Sequence, residues 1–397
     1  MNKTAQIREL AKQVADIAHS DDNLRKREMW RKYNAFDWDG PIPVLLSVDG
    51  FCFKEILAPY PMARDPVYGA VETQLRKQLW YASLGSDMVI EPWVMLGATY
   101  HESSATFWGI QMHDSWVGDN TVFHGEFETP EDIERMQVPA PHLDGTTTLE
   151  QYDRTRELLD GILDVRVEWR HRHLCIAKFG AWAFQLMGQR RMLEWFALYP
   201  DLIKRFFQIT ADGFVRHNQG LERRRRLTDN NCFIPDFYAW HGTRVETPRL
   251  CDMWVHGDGE EFSCVSPEML EEYLFPVLRP IYALFGNGSY GCCESQDGKL
   301  GIVKTLPNLR EVIISERCNW DYVIDELGTD YLLAVRPSLV DTVYAQTDDE
   351  IHAALTKMAR TFAGKHWHLN FPGPLSLNGD PQRYHRFVET ARDAVAI

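Results

Sequence analysis

A chain of 397 residues, 45% apolar and 25% charged, has the balance of an ordinary globular protein, which excludes a disordered one and allows one large domain or two ordinary ones. Its net charge of −15 at pH 7 argues against nucleic acid, anionic membranes and, without a local basic pocket, polyanionic substrates, because like charges repel. No apolar run approaches the roughly 20 residues that span a bilayer, and the polar N-terminus lacks the apolar stretch of a signal peptide. The expectation is a cytoplasmic protein whose eight cysteines are thiols, so that clustering among them points to metal or catalysis.

In chain order, residues 1–40 form an N-terminal helical extension, with Ile7, Leu10, Val14 and Ile17 at helical spacing. PVLLSVDG (43–50) reads as a buried strand, a helix follows at about 64–84, and DMVIEPWVML (87–96) reads as a second strand. Residues 98–127 alternate aromatic and polar side chains, which suits an inserted antiparallel excursion. Helix 147–163, strand 173–182, a long helical stretch at 190–226 and a strand or exit loop at 234–240 come next. Ser266 and Pro267 then open a helix as N-cap and first helical residue, with Glu268 favourable to the helix dipole. Strand 288–294, a helix near 304–310, strand 311–315, helix 319–328, strand 331–337, helix 348–363, strand 366–371 and helix 380–395 complete the pattern.

Short apolar strands alternating with amphipathic helices imply a parallel sheet. Roughly eight such units in an unbroken chain without a linker predict an α/β fold, a (β/α)₈ TIM barrel in a single domain over 1–397. In that fold the chemistry sits where strands give way to the loops that follow them.

The strongest local pattern is Tyr290-Gly291-Cys292-Cys293-Glu294. Neighbours on a strand face opposite ways, so one thiol can enter a site while the other packs outward, and a thiolate beside a carboxylate supplies part of a zinc site. Two small buried hydrophobes are the alternative. His256-Gly257-Asp258-Gly259-Glu260-Glu261 offers an imidazole and three carboxylates for ligands or a general base, or else an acidic solvated loop. Glu91, inside an apolar run and before Pro92, must be paired, protonated or metal-bound, and a strand exit lining the pocket is the expected place. His241, with Asp236 and Tyr238, falls on the 234–240 strand exit, and Trp254 follows shortly after. The arginines 223–226 read as a solvated helix end, and His366 and His368 share one face of the last strand. No dinucleotide fingerprint, Walker loop or nucleophile elbow occurs. D-x-H-x-x-G, which attaches cobalamin in corrinoid-binding modules, is also missing, so a corrinoid would come on another protein.

SPEMLEEYLFPVLRPIYALFG, SYGCCE, LPNLREVIISE, DELGTDYLLAVRPS and KFGAWAFQLMGQRRMLEWFALYPDLIKRFFQ, in their order, resemble the uroporphyrinogen decarboxylase superfamily, which includes zinc-dependent methyltransferases working with corrinoid proteins or thiols. The resemblance covers about residues 170–395. It implies that Cys293 stands at the first metal cysteine of a His-x-Cys pair, although the histidine position holds Gly291 and the later metal cysteine falls near Phe371-Pro372-Gly373. A zinc held by Cys293 would therefore draw on Glu294, Asp258 or His256. The decarboxylase branch fits less well, because its first strand exit carries arginines and here it reads LLSVDGF.

The expected protein is thus a methyltransferase taking a methyl group from a small methylated substrate to a separate corrinoid protein or a thiol, with zinc at Cys293, Glu294 and His256. Glu91, Asp258 and His241 are the expected catalytic residues, and Trp93, Asp236, Tyr238, Trp254 and Arg336 the expected substrate-binding ones. A metal-free decarboxylase or lyase on the same barrel and a non-catalytic relative are the alternatives. The oligomeric state is open, a homodimer included.

Overall fold

The computed structural model describes residues 2–46, 52–101, 108–117, 120–123, 125–228, 245–338, 347–371 and 376–396. The helical extension is two helices, α1 (Lys3–Ala18) and α2 (Asp21–Asn34), because the Ser20 side chain accepts the Asn23 N–H and starts a new helix. Then come β1 (Val44–Leu46), α3 (Cys52–Leu57), α4 (Pro66–Ser83), β2 (Trp93–Gly97) and the antiparallel pair β3 (Asp114–Val117) and β4 (Asn120–Phe123), which is the excursion expected within 98–127. Next are α5 (Gly145–Leu159), β5 (Asp164–Glu168), α6 (Phe179–Met187), α7 (Gln189–Leu198) and α8 (Pro200–Arg223). The regular half runs β6 (Trp254–Gly257), α9 (Pro267–Tyr273), α10 (Phe275–Tyr282), β7 (Asn287–Tyr290), α11 (Leu300–Val303), β8 (Leu309–Ser315), α12 (Trp320–Leu327), β9 (Leu332–Arg336), α13 (Asp348–Thr361), β10 (Trp367–Phe371) and α14 (Gln382–Val395). No helix among the described residues is long and apolar enough to cross a membrane.

Six strands form one parallel sheet in the order β1-β10-β9-β8-β7-β6, and β2 and β5 form a second parallel ladder. Each outer strand of the larger sheet touches a segment that flanks this ladder. The Asp87 N–H donates to the Val44 carbonyl at 2.8 Å, and the Ala177 N–H donates to the His256 carbonyl at 2.8 Å. Alternation along the strands divides the side chains. Val255, Val312, Ile314, Leu333, Val335 and Leu369 join the large core with the helices. The opposite, inner face carries His256, Ser289, Glu311, Arg336, His368 and Asn370.

The sequence expectation errs at four strand positions for physical reasons. Segment 173–182 contributes only an isolated parallel bridge at Ala177, and α6 begins at Phe179. A short apolar run reads alike as buried strand or buried helix. Strand β5, Asp-Val-Arg-Val-Glu, is too charged to stand out, and β6 lies in a segment that reads as a loop. In 87–96 the ladder starts only after Pro92, which has no N–H to give.

The backbone of 87–91, left out of the ladder, is satisfied by α2. Asn23 exchanges two hydrogen bonds with Ile90 at 2.8 and 2.9 Å, and the Trp30 indole donates to the Asp87 carbonyl at 2.8 Å. Arg27 reaches the Ile90 carbonyl and the Glu91 carboxylate, both at 2.9 Å. Glu91 therefore lies where its strand begins, tied to the N-terminal extension, and not at a strand exit. Beside it Met29, Trp30, Tyr33, Leu45, Trp254 and Leu332 close the entry end of the strands as a separate apolar cluster. Removing one partner of a buried ion pair strands the other charge. Glu91→Gln should lower stability by roughly 3 kcal/mol in denaturant titration, with unchanged turnover per folded molecule. Unchanged stability with lost turnover would return Glu91 to the active site.

Candidate functional site

The exits of β6 and β7 lie side by side, because Gly257 pairs with Tyr290 in the parallel ladder. Gly291 turns the chain at φ +112°, and a Cβ there would stand 2.8 Å from the Ile313 carbonyl oxygen. Only glycine fits that approach. The turn brings Cys292 and Cys293 over the inner face with their sulfurs 3.6 Å apart. The hydrogen bond from Cys292 holds the Cys293 thiol below its ordinary range and pushes Cys292 above it. Arg336, buried at the end of β9, places its guanidinium 3.6 Å from the Cys292 sulfur.

Glu294 follows with both carboxylate oxygens engaged. They accept N–H groups of Gly259 (3.1 Å) and Cys292 (2.8 Å) and the Gln296 amide (3.1 Å), which stitches the two exits together. Burial, and then the nearby Asp258, raise its pKa. His256 is fully buried, its Nδ1 2.9 Å from the Ser289 hydroxyl and its Nε2 3.8 Å from Asp258. Burial keeps this imidazole neutral by lowering its pKa.

Asp258 pairs with Lys178, the residue before α6, at 3.2 Å. Burial works against ionisation of Asp258, but Lys178 and His256 outweigh it and bring the pKa below the usual value. Lys178 in turn stays protonated against burial, chiefly through Asp258. Next to this pair, burial and then Asp258 push Glu261 up to about 7. One donor atom each from Glu260, Cys292 and Cys293 lies within 4.8 Å of the others.

Deeper on the inner face, Glu311 of β8 and His368 of β10 are fully buried, with Glu311 Oε2 4.0 Å from His368 Nδ1. That nitrogen is also 3.0 Å from the Tyr33 hydroxyl of α2. Burial, and then the Arg336 charge, lower His368 to about 3, so it is neutral. Burial raises Glu311 to about 8 although Arg336 opposes the shift.

Of the residues expected from sequence, Asp258, His256, Cys293, Glu294 and Arg336 come together at this site. Glu91 does not. Trp93 is buried on β2 under the Arg166 guanidinium, 3.5 Å above its ring centroid, and Trp254 belongs to the apolar cluster at the strand entries. His241, Asp236, Tyr238 and the expected LLSVDGF strand exit beyond Leu46 lie outside the described residues. Sequence reasoning missed Lys178 and Glu311. Lys178 is a lone charge in IAKFGAW, the same signal that singled out Glu91, whereas Glu311 follows Arg310 at the head of the apolar run VIIS.

No family model matches the chain, and no curated protein matches it. Among solved structures it is similar to a methyltransferase from Methanosarcina mazei, at 12% identity and a TM-score of 0.56, over 92% of this chain and 97% of that one. At that identity the likeness is one of fold.

The Glu311 carboxyl gives the stability a pH signature. Its folded-state pKa, about 8, lies above the ordinary 4.5, so its stabilising contribution is complete below pH 4.5 and is lost as pH rises through 8. Glu311→Gln should match the parent in melting temperature near pH 5 and surpass it increasingly toward pH 9. Parallel pH profiles of the two proteins would contradict that burial.

Proposed function

We propose that the two parallel ladders make up one closed eight-stranded barrel, and that the chain is a methyltransferase moving a methyl group from a small methylated substrate to a separate corrinoid protein or a thiol. The fold shared with a methyltransferase along nearly the whole chain supports the reaction class. The observation that carries the reading is the convergence of Cys292, Cys293 and Glu260 at the strand exits.

These donors suit zinc. Two thiolates at about 2.3 Å on one tetrahedral ion stand roughly 3.8 Å apart, and the sulfurs here are 3.6 Å apart. Two sulfurs and one carboxylate oxygen leave a fourth position for substrate. The ligand set differs from the one expected from sequence, Cys293 with Glu294 and His256. Glu294 spends its oxygens on three N–H donors, and His256 is turned to Ser289 and Asp258.

Zinc bound there supplies a Lewis acid that polarises the leaving heteroatom of the methylated substrate. The chain's own residues prepare that step. Arg336 favours the thiolate form on which metal affinity depends. Lys178 holds Asp258 ionised, and that charge helps keep a proton on Glu261 near neutral pH, within the same group of exits. Glu294 fixes the two exits relative to each other, so the donors are set before substrate arrives.

Freshly purified protein should carry about one zinc per chain. Cys292→Ser or Cys293→Ser should each lower zinc affinity by at least the 10–100-fold that loss of an outer-shell partner costs. Chelation should abolish methyl transfer to a reduced corrinoid protein, and added zinc should restore it. Full methyl transfer by metal-free protein would refute the zinc mechanism.

A further inference from the structure

The inner strand faces of a (β/α)₈ barrel are ordinarily packed with branched apolar side chains, and Glu311 stands in their place. It is fully buried, and neither of its carboxyl oxygens has a hydrogen-bond partner among the described residues. His368 Nδ1, 4.0 Å away, is beyond hydrogen-bond reach. The Asn370 side-chain oxygen, on the same face of β10, is likewise buried without a partner. Unpaired polar atoms at such depth weaken a fold. No described residue fills these hydrogen bonds, and a ligand that filled them would offset that loss.

Their position fits a ligand. Gly291, from which the two cysteines depart, lies against Ile313, with its missing Cβ 3.4 Å from the Ile313 Cβ. Glu311 is two residues earlier on the same face of β8, about 6.6 Å deeper at 3.3 Å per residue. It thus lies beneath the thiols at the depth of Ser289, its ladder partner. With its proton in place Glu311 offers one O–H and one acceptor oxygen, and Asn370 offers a second acceptor, so the two unfilled acceptors call for a donor.

We propose that Glu311, deep on β8, and Asn370, two residues beyond His368 toward the exit of β10, line a subsite that binds a hydrogen-bond donor, the hydroxyl or protonated amine of a small methylated molecule, on the inner face below Cys292 and Cys293. This rests on the methyltransferase reading for the identity of the ligand as substrate. The binding itself requires neither metal nor methyl acceptor. Glu311 would thereby set specificity, rejecting molecules whose donor is capped by a further methyl group, because capping leaves the buried acceptors unpaired.

Matched probes test it by thermal shift on the full chain. Trimethylammonium carries an N–H that tetramethylammonium lacks at the same charge, and 2-methoxyphenol carries a hydroxyl that 1,2-dimethoxybenzene lacks. At least one donor-bearing probe should raise the melting temperature while its capped partner leaves it unchanged, and whichever pair responds identifies the donor as amine or hydroxyl. Glu311→Leu should itself raise the melting temperature by about 2 °C or more, since an unpaired carboxyl is replaced by an apolar side chain, and should erase the response. Glu311→Gln, which keeps an acceptor oxygen, should retain part of it. Absence of any probe response, equal responses within both pairs, or a Glu311→Leu protein that melts earlier or fails to fold would each overturn the proposal. Loss of methyl transfer with these shifts intact would instead strike the catalytic reading alone.

Discussion

Parallel strands in register send alternate residues to one shared inner face, and the chemistry of this protein follows from which side chains fall there. On β8 and β9 the outward positions are Val312, Ile314, Leu333 and Val335, which seal the sheet against its helices. The inward positions include Glu311 and Arg336, both almost wholly buried. A slip of one residue in either strand would carry these charges into the apolar layer, so the register is fixed by the cost of burying them there.

The inner face is thereby divided along its depth. At the strand entries, α2 sets Trp30 and Tyr33 against Leu45, Trp254 and Leu332 and leaves an apolar floor. At the exits, the loops after β6 and β7 bring their carboxylates and thiols together. The same α2 supplies polar partners to the segment before β2, which Pro92 separates from the ladder. The N-terminal extension is thus part of how the strands are assembled and not an appendage.

At the candidate site of this chain of charge −15, two cations stand among buried acids. Lys178 neutralises Asp258, and Arg336 stands beside Cys292. Acids that have no cation in contact respond to burial by keeping their protons, as Glu261 does near pH 7 and Glu311 near 8. Buried carboxyls of the same type therefore differ in ionisation according to which basic side chain the fold brings near them. Such a spread equips one site with both an ionised carboxylate and a proton donor.

Much of this was legible in the sequence. The alternation of short apolar strands with amphipathic helices over 266–396 gave the parallel sheet, and Ser266-Pro267 marked the start of α9, because capping and periodicity act within a few residues. The Gly-Cys-Cys-Glu turn and the acidic loop at 256–261 announced themselves by composition. The ends of the strands did not, since β5 hides behind its charges and α6 behind its apolar run. Neither did the fate of lone charges in apolar segments. Glu91, Lys178 and Glu311 each border an apolar run, yet the first is bound by Arg27, the second by Asp258, and the third has no hydrogen-bond partner among the described residues. The sequence determined the strands and helices beyond residue 266 and which turns carry reactive groups, because those depend on near neighbours. Only the tertiary structure decided which acid meets which base, and so which stays charged, because those partners lie tens to hundreds of residues apart and are brought together by packing alone.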